Sequence, residues 1–148
     1  MKSIKLCSAF LFAALIFFVP AGAQSLSGNK TVYRDGTYVG ESRAAYTGEP
    51  YWGKVQVTIS NGQVTDVKYT VRDSSLHETF NIDYAKHFAG NEAYIQQTKN
   101  DWNGVQTYPK RFLESQDTNK IDVVSGATWS YNIFRAALGE ALKKASAK

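Results

Sequence analysis

The sequence predicts an α+β domain: an antiparallel sheet built on β-hairpins and covered by helices, one of them an amphipathic C-terminal helix. Two patterns carry that expectation. Residues 54–60 alternate strictly, with Val55, Val57 and Ile59 on one face, and Asn61-Gly62 joins them to a second stretch running through Val64, Val67, Tyr69 and Val71. Alternating strands linked by Asn-Gly are a strong hairpin signal, because that dipeptide accepts the positive φ angles of a tight two-residue turn. Near the C-terminus, Trp129, Ile133, Phe134, Ala137, Leu138, Ala141 and Leu142 recur at the helical period and define one apolar face. A half-apolar sheet and a half-apolar helix each need the other as cover.

The segments follow in chain order. Residues 1–23 read as a secretory signal, with Lys2 and Lys5 as a basic start, an apolar run from Leu6 to Val19, and Ala21-Gly22-Ala23 as a small-residue cleavage site. The apolar run is 14 residues long, against roughly 20 for a spanning helix, which favours cleavage over an uncleaved anchor. The single cysteine, Cys7, lies inside this signal. The mature chain is therefore expected to form no disulfide and no thiolate metal site. Residues 24–32 are small and polar and read as a linker, which leaves 33–148 as one domain. Loss of Lys2 and Lys5 takes the net charge from +4 to +2. A nearly neutral chain without a basic run interleaved with aromatics has no electrostatic footing for nucleic acid, nor a polybasic patch for a membrane surface.

Within the domain, Asp35-Gly36 reads as a turn and residues 38–42 as extended. Residues 73–79 form a polar connection, residues 81–88 and 92–98 are weakly helical, and residues 100–104 read as a loop. Thr107-Tyr108-Pro109 is expected to open a short helix, since proline suits the first turn. Lys143, Lys144 and Lys148 crowd the end of the C-terminal helix, where positive charge suits the dipole.

Chemistry concentrates in Asp122-Val123-Val124-Ser125-Gly126-Ala127-Thr128, which leads directly into that helix. Gly126 and Ala127 permit close backbone approach, and a helix start offers free N–H groups and positive potential to an anion such as phosphate. On residue types alone, a Ser125 or Thr128 hydroxyl at this position more commonly just caps the helix.

The whole seven-residue pattern resembles the flavinylation motif of the FMN-binding domain family, which includes the flavin-bearing C subunit of the sodium-pumping NADH:quinone reductase and the G subunit of the Rnf complex. The resemblance places Asp122 at the motif's acidic position, Ser125, Gly126 and Ala127 in its small turn, and Thr128 at the acceptor. Residues 35–40 look like the family's opening Asp-Gly-x-Tyr-x-Gly, and residues 53–62 like its central hairpin. Similarity extends from about Tyr33 to Leu142, whereas residues 79–106 depart from the pattern. The resemblance implies FMN as cofactor, a phosphoester at Thr128 made by a flavin transferase that uses FAD, and a role as an extracytoplasmic electron carrier. Its electron partner would be a membrane redox complex or a cytochrome, and its location the periplasm or the outer face of a bacterial membrane. An alternative is a secreted binding or surface-antigen module of the same fold with weak or no flavin binding. A third is a domain separated from a larger flavin reductase.

Trp129 is the first choice for contact with the isoalloxazine ring, ahead of Tyr38, Trp52, Trp102 and Tyr131. His77, Glu78, His87, Asp73 and Asp83 follow no metal-ligand spacing, so no metal site is expected. No hydrolase elbow, Walker loop or Rossmann fingerprint occurs, and no residue stands out as catalytic.

Overall fold

The computed structural model describes residues 33–45 and 48–146. The expected signal (1–23) and linker (24–32) lie outside the described residues. Four antiparallel strands, β1 (Gly36–Glu41), β2 (Tyr51–Ser60), β3 (Gln63–Asp73) and β4 (Glu78–Thr79), form one sheet in sequence order. Two helices, α1 (Glu92–Ser115) and α2 (Thr128–Ala145), cover it, so the fold is α+β.

The β2–β3 hairpin forms at the expected turn. Ser60 pairs with Gln63, and the two residues between them adopt φ of 52° at Asn61 and 71° at Gly62, the signs that a type I′ turn requires. Asp35 does not turn the chain by itself; Gly36 already belongs to β1. Its carboxylate instead accepts from the turn amides of Asn61 (3.0 Å) and Gly62 (2.9 Å). A register shift at Thr58/Ile59 adds a residue to β3. That bulge resets the pleat, so Val64 and Val67, three apart, both reach the core face.

Helix α2 lies against β1 and β2, burying Ile133, Phe134, Ala137, Leu138, Ala141 and Leu142 as its spacing predicts. Helix α1 lies against β3 and differs from expectation. The anticipated loop at residues 100–104 and the helix start at Thr107–Pro109 are both interior to one 24-residue helix. Pro109 removes an intrahelical donor, and glycine and proline in a helix interior cost about 1 and 3 kcal/mol respectively. Burial offsets that cost: Thr98, Asp101, Gly104, Val105, Tyr108 and Phe112 recur three or four apart along one inward stripe. Local preference pointed to a break, and tertiary packing overrode it. Residues 82–88 form a 3-10 helix opened by Asn81, whose side chain accepts from the Asp83 amide at 2.8 Å.

Candidate functional site

The seven-residue motif sits where α1 crosses the start of α2. Ala127 donates to the Val124 carbonyl at 2.9 Å, closing a turn in which Gly126 has φ of 72°. The positive φ calls for glycine at this position, and a Cβ there would also displace the Asn100 side chain, whose Nδ2 would stand 2.5 Å away. The loop is held from α1 by three side chains. The Arg111 guanidinium donates to the Asp122 carbonyl. The Tyr108 hydroxyl donates to the Ala127 carbonyl at 2.8 Å and accepts from the Val124 amide at 3.3 Å. The Gln97 amide donates to the Gly126 carbonyl and to Asp101, both at 2.7 Å.

The capping expectation resolves in an unexpected way. The N-cap position of α2 falls on Ala127, which offers no side-chain cap. Asp101, 3% exposed on α1, does the work from outside: its Oδ1 accepts from the Ser130 amide (3.1 Å) and the Ser130 hydroxyl (2.8 Å). One orphan amide of the first turn is thereby satisfied. Thr128 is exposed, its hydroxyl is not needed as a cap, and the first two amides of the helix, those of Thr128 and Trp129, have no intrahelical partner. An exposed hydroxyl beside free amides at the positive end of an 18-residue helix suits a phosphate.

Trp129, which follows Thr128 in the chain, lines an open cavity of about 320 Å³, walled also by Tyr51, Phe80, Tyr84, Phe88 and Tyr94, with Gln97, Thr98 and Asp101 as its polar lining. Trp129 meets Tyr51 edge-on (5.3 Å, 90°) and Phe80 at 5.4 Å. Phe88 and Tyr94 stack at 5.3 Å and 23°, and Tyr94 is 58% exposed. Such a cavity, mostly apolar with a few converging polar groups, is the usual character of a small-molecule site.

Of the aromatics singled out by sequence, Trp129 lines this cavity. The other four stand elsewhere: Trp52 lies under the Arg43 guanidinium, Tyr131 under Arg135, the Tyr38 hydroxyl bonds the Asp35 carbonyl, and Trp102 packs against the core. The five other wall residues were missed by sequence reasoning. A signal did exist, since Phe80, Tyr84 and Phe88 recur every fourth residue. Ser125 and Asp122 are exposed and Ala127 is buried. His87 sits 2.8 Å and Lys86 2.9 Å from the Glu78 carboxylate, which these two hydrogen bonds hold below the usual carboxylate range. Among the described residues no three His, Cys, Asp or Glu side chains gather to hold a metal ion.

The sequence model of one family, the FMN-binding domain, matches residues 50–143. The chain belongs to that family. FMN is accordingly its cofactor. The matched span includes the departing stretch 79–106, which supplies most of the cavity wall. The Asp-Gly opening at residues 35–40 lies outside it. The fold is similar to the crystal structure of the CPE2226 protein from Clostridium perfringens, with a TM-score of 0.59 and 25% identity over 76% of this chain and 88% of that one. None of the curated proteins matches the chain. The residues present fit FMN as an FMN-binding domain should. Aromatic side chains suit the faces of a planar ring, Gln97 and Thr98 can hydrogen-bond its edge, and the helix start suits its phosphate. Trp129 in the cavity wall is the immediate neighbour of Thr128.

Proposed function

We propose that this FMN-binding domain is exported and carries its flavin covalently through a phosphoester at Thr128, serving as an extracytoplasmic electron carrier. One observation supports this most: Thr128 is exposed and relieved of capping duty by Asp101, and its chain neighbour Trp129 lines a cavity walled by aromatic rings. In the attachment step a flavin transferase would pass the FMN phosphoryl group of FAD to the Thr128 oxygen. The phosphate bond to AMP breaks, AMP departs, and the hydroxyl proton is released. Bound FMN supplies the one- and two-electron chemistry, and the chain's residues supply position and shielding. Trp129, Phe80 and Tyr51 would flank the ring, Gln97 and Thr98 would meet its polar edge, and the Thr128 and Trp129 amides would receive the phosphate. Covalent attachment suits a compartment from which free FMN is lost by diffusion. The signal-like residues 1–23 would direct the chain to the periplasm or outer membrane face, where a membrane redox complex or cytochrome would exchange electrons with it. Among the described residues no helix is long and apolar enough to cross a membrane.

The test is co-expression with an active flavin transferase, followed by a denaturing gel and intact mass. The expected result is a fluorescent band heavier by FMN less one water, absent from Thr128→Ala. A dark band of unmodified mass would leave a module that binds FMN without a covalent bond. Label persisting in Thr128→Ala would place the attachment elsewhere.

A further inference from the structure

Beneath one wall of the cavity lies a carboxylate that caps the turn after β3 with one oxygen and faces a cavity tyrosine with the other. Asp73, at the end of β3, is 2% exposed, and no lysine or arginine forms a salt bridge with it among the described residues. Its Oδ1 accepts from the amides of Ser75 (2.7 Å) and Leu76 (3.2 Å). Its Oδ2 accepts from the Tyr84 hydroxyl at 2.5 Å. Burial by itself would raise this carboxyl, but those three hydrogen bonds outweigh it and hold the group below the usual carboxylate range, so it is an anion at neutral pH. Burial, and then the bond to Asp73, push the Tyr84 hydroxyl upward, which keeps its proton in place.

The direction of the hydrogen bonds matters. A phenol has one proton, and that of Tyr84 is committed to Asp73. The Tyr51 hydroxyl lies 3.3 Å from the Tyr84 oxygen and has its own proton to donate there. Both tyrosines line the cavity. Protons along the chain therefore point toward Asp73, and the cavity end presents acceptor lone pairs polarised by a buried negative charge. The other titratable groups nearby are His87, whose ring packs on Tyr84 at 4.9 Å, and its partner Glu78.

We propose that Asp73, acting through Tyr84 and Tyr51, positions the flavin ring and sets its potential: the hydroxyl chain receives an N–H edge of the ring, and the buried charge makes the bound flavin harder to reduce. The proposal rests on the ring's lying in this cavity. Reduction adds electrons, and a nearby anion opposes that. Asp73 is a positioning residue here, because it touches the ring only through the two phenols.

The experiment is a spectroelectrochemical titration of FMN-loaded protein for the wild type, Asp73→Asn and Tyr51→Phe. Asp73→Asn keeps the shape and loses the charge, its single acceptor oxygen serving either Tyr84 or the Ser75 and Leu76 amides. Its midpoint potential is expected to move positive, and an unchanged or more negative value overturns the proposal. Tyr51→Phe keeps the charge and removes the link. In a Thr128→Ala background, where FMN binds reversibly, it should raise the Kd several-fold, and undiminished affinity overturns the assigned chain even if Asp73→Asn fails to fold. Trp129→Phe separates this proposal from the one beneath it. If FMN emission rises in that variant while the potential of Asp73→Asn stays put, the ring is in the cavity and only the Asp73 role fails. If emission is unaffected as well, the cavity reading falls with it.

Discussion

Thr128 and Asp101 divide between them two roles that one residue often holds. Had Thr128 capped α2, replacing it with alanine would cost about 1 kcal/mol. Because Asp101 caps the helix from α1 and Thr128 is exposed, Thr128→Ala is expected to change stability by less than about 0.5 kcal/mol in urea unfolding, while abolishing covalent flavin. Asp101→Ala should be costly for the converse reason. It strands the buried Ser130 amide, while the Ser130 hydroxyl keeps the Ala127 carbonyl, and an unsatisfied buried group costs about 1–3 kcal/mol. A neutral effect of Asp101→Ala on the urea midpoint would contradict the cross-helix cap. Asp35 gives a pH signature. The amides of Gly62 and then Asn61 hold its carboxyl below the usual value. A group depressed on folding contributes stability above its unfolded value, about 3.9, and that contribution disappears as pH falls through the lower folded value. The gap in unfolding midpoint between wild type and Asp35→Asn should therefore be present at pH 7 and shrink toward pH 3.

At the level of elements, the hairpin and α1 each depend on a glycine, for different reasons. Gly62 serves a turn with positive φ, so Gly62→Val should lower the melting temperature, and an unchanged melting curve would refute the turn. Gly104 is inside α1, where alanine is normally preferred by about 1 kcal/mol. Here an added Cβ would stand 2.7 Å from the Ser130 hydroxyl oxygen and 2.9 Å from the Ala127 Cβ. Both neighbours are short and buried, so neither can swing aside. Gly104→Ala is expected to destabilise the protein in urea unfolding despite its helix propensity, and a gain would disprove the close approach of α1 to the flavin motif. The same contact explains part of why residues 100–104 read as a loop in sequence: Gly104 and Asn100, which look like breakers, sit where α1 meets the motif.

For the molecule as a whole, the cavity is assembled from four separated pieces: the start of β2, residues 80–88, α1 and the first turn of α2. A ring seated there touches all four only in the folded state, so its seating favours that state over the unfolded one. FMN-loaded protein should accordingly melt above the unloaded Thr128→Ala protein in scanning calorimetry. Equal melting temperatures would place the ring outside the cavity.

The sequence by itself determined what is local or periodic. Asn61-Gly62 specifies its turn through the φ angles those residues tolerate, the apolar stripe of residues 129–142 specifies the covered face of α2, and the motif ending at Thr128 specifies the family. Tertiary structure alone decided the rest. Helix α1 runs unbroken through Gly104 and Pro109 because burial of Val105, Tyr108 and Phe112 outweighs weak local preference. Thr128 is left available because a carboxylate 27 positions earlier in the chain caps its helix. Tyr51, Phe80, Tyr84, Phe88 and Tyr94 become one wall because the sheet and α1 bring them to Trp129. Spacing along a chain encodes neighbours one turn or one pleat apart, whereas these contacts depend on where separate elements cross.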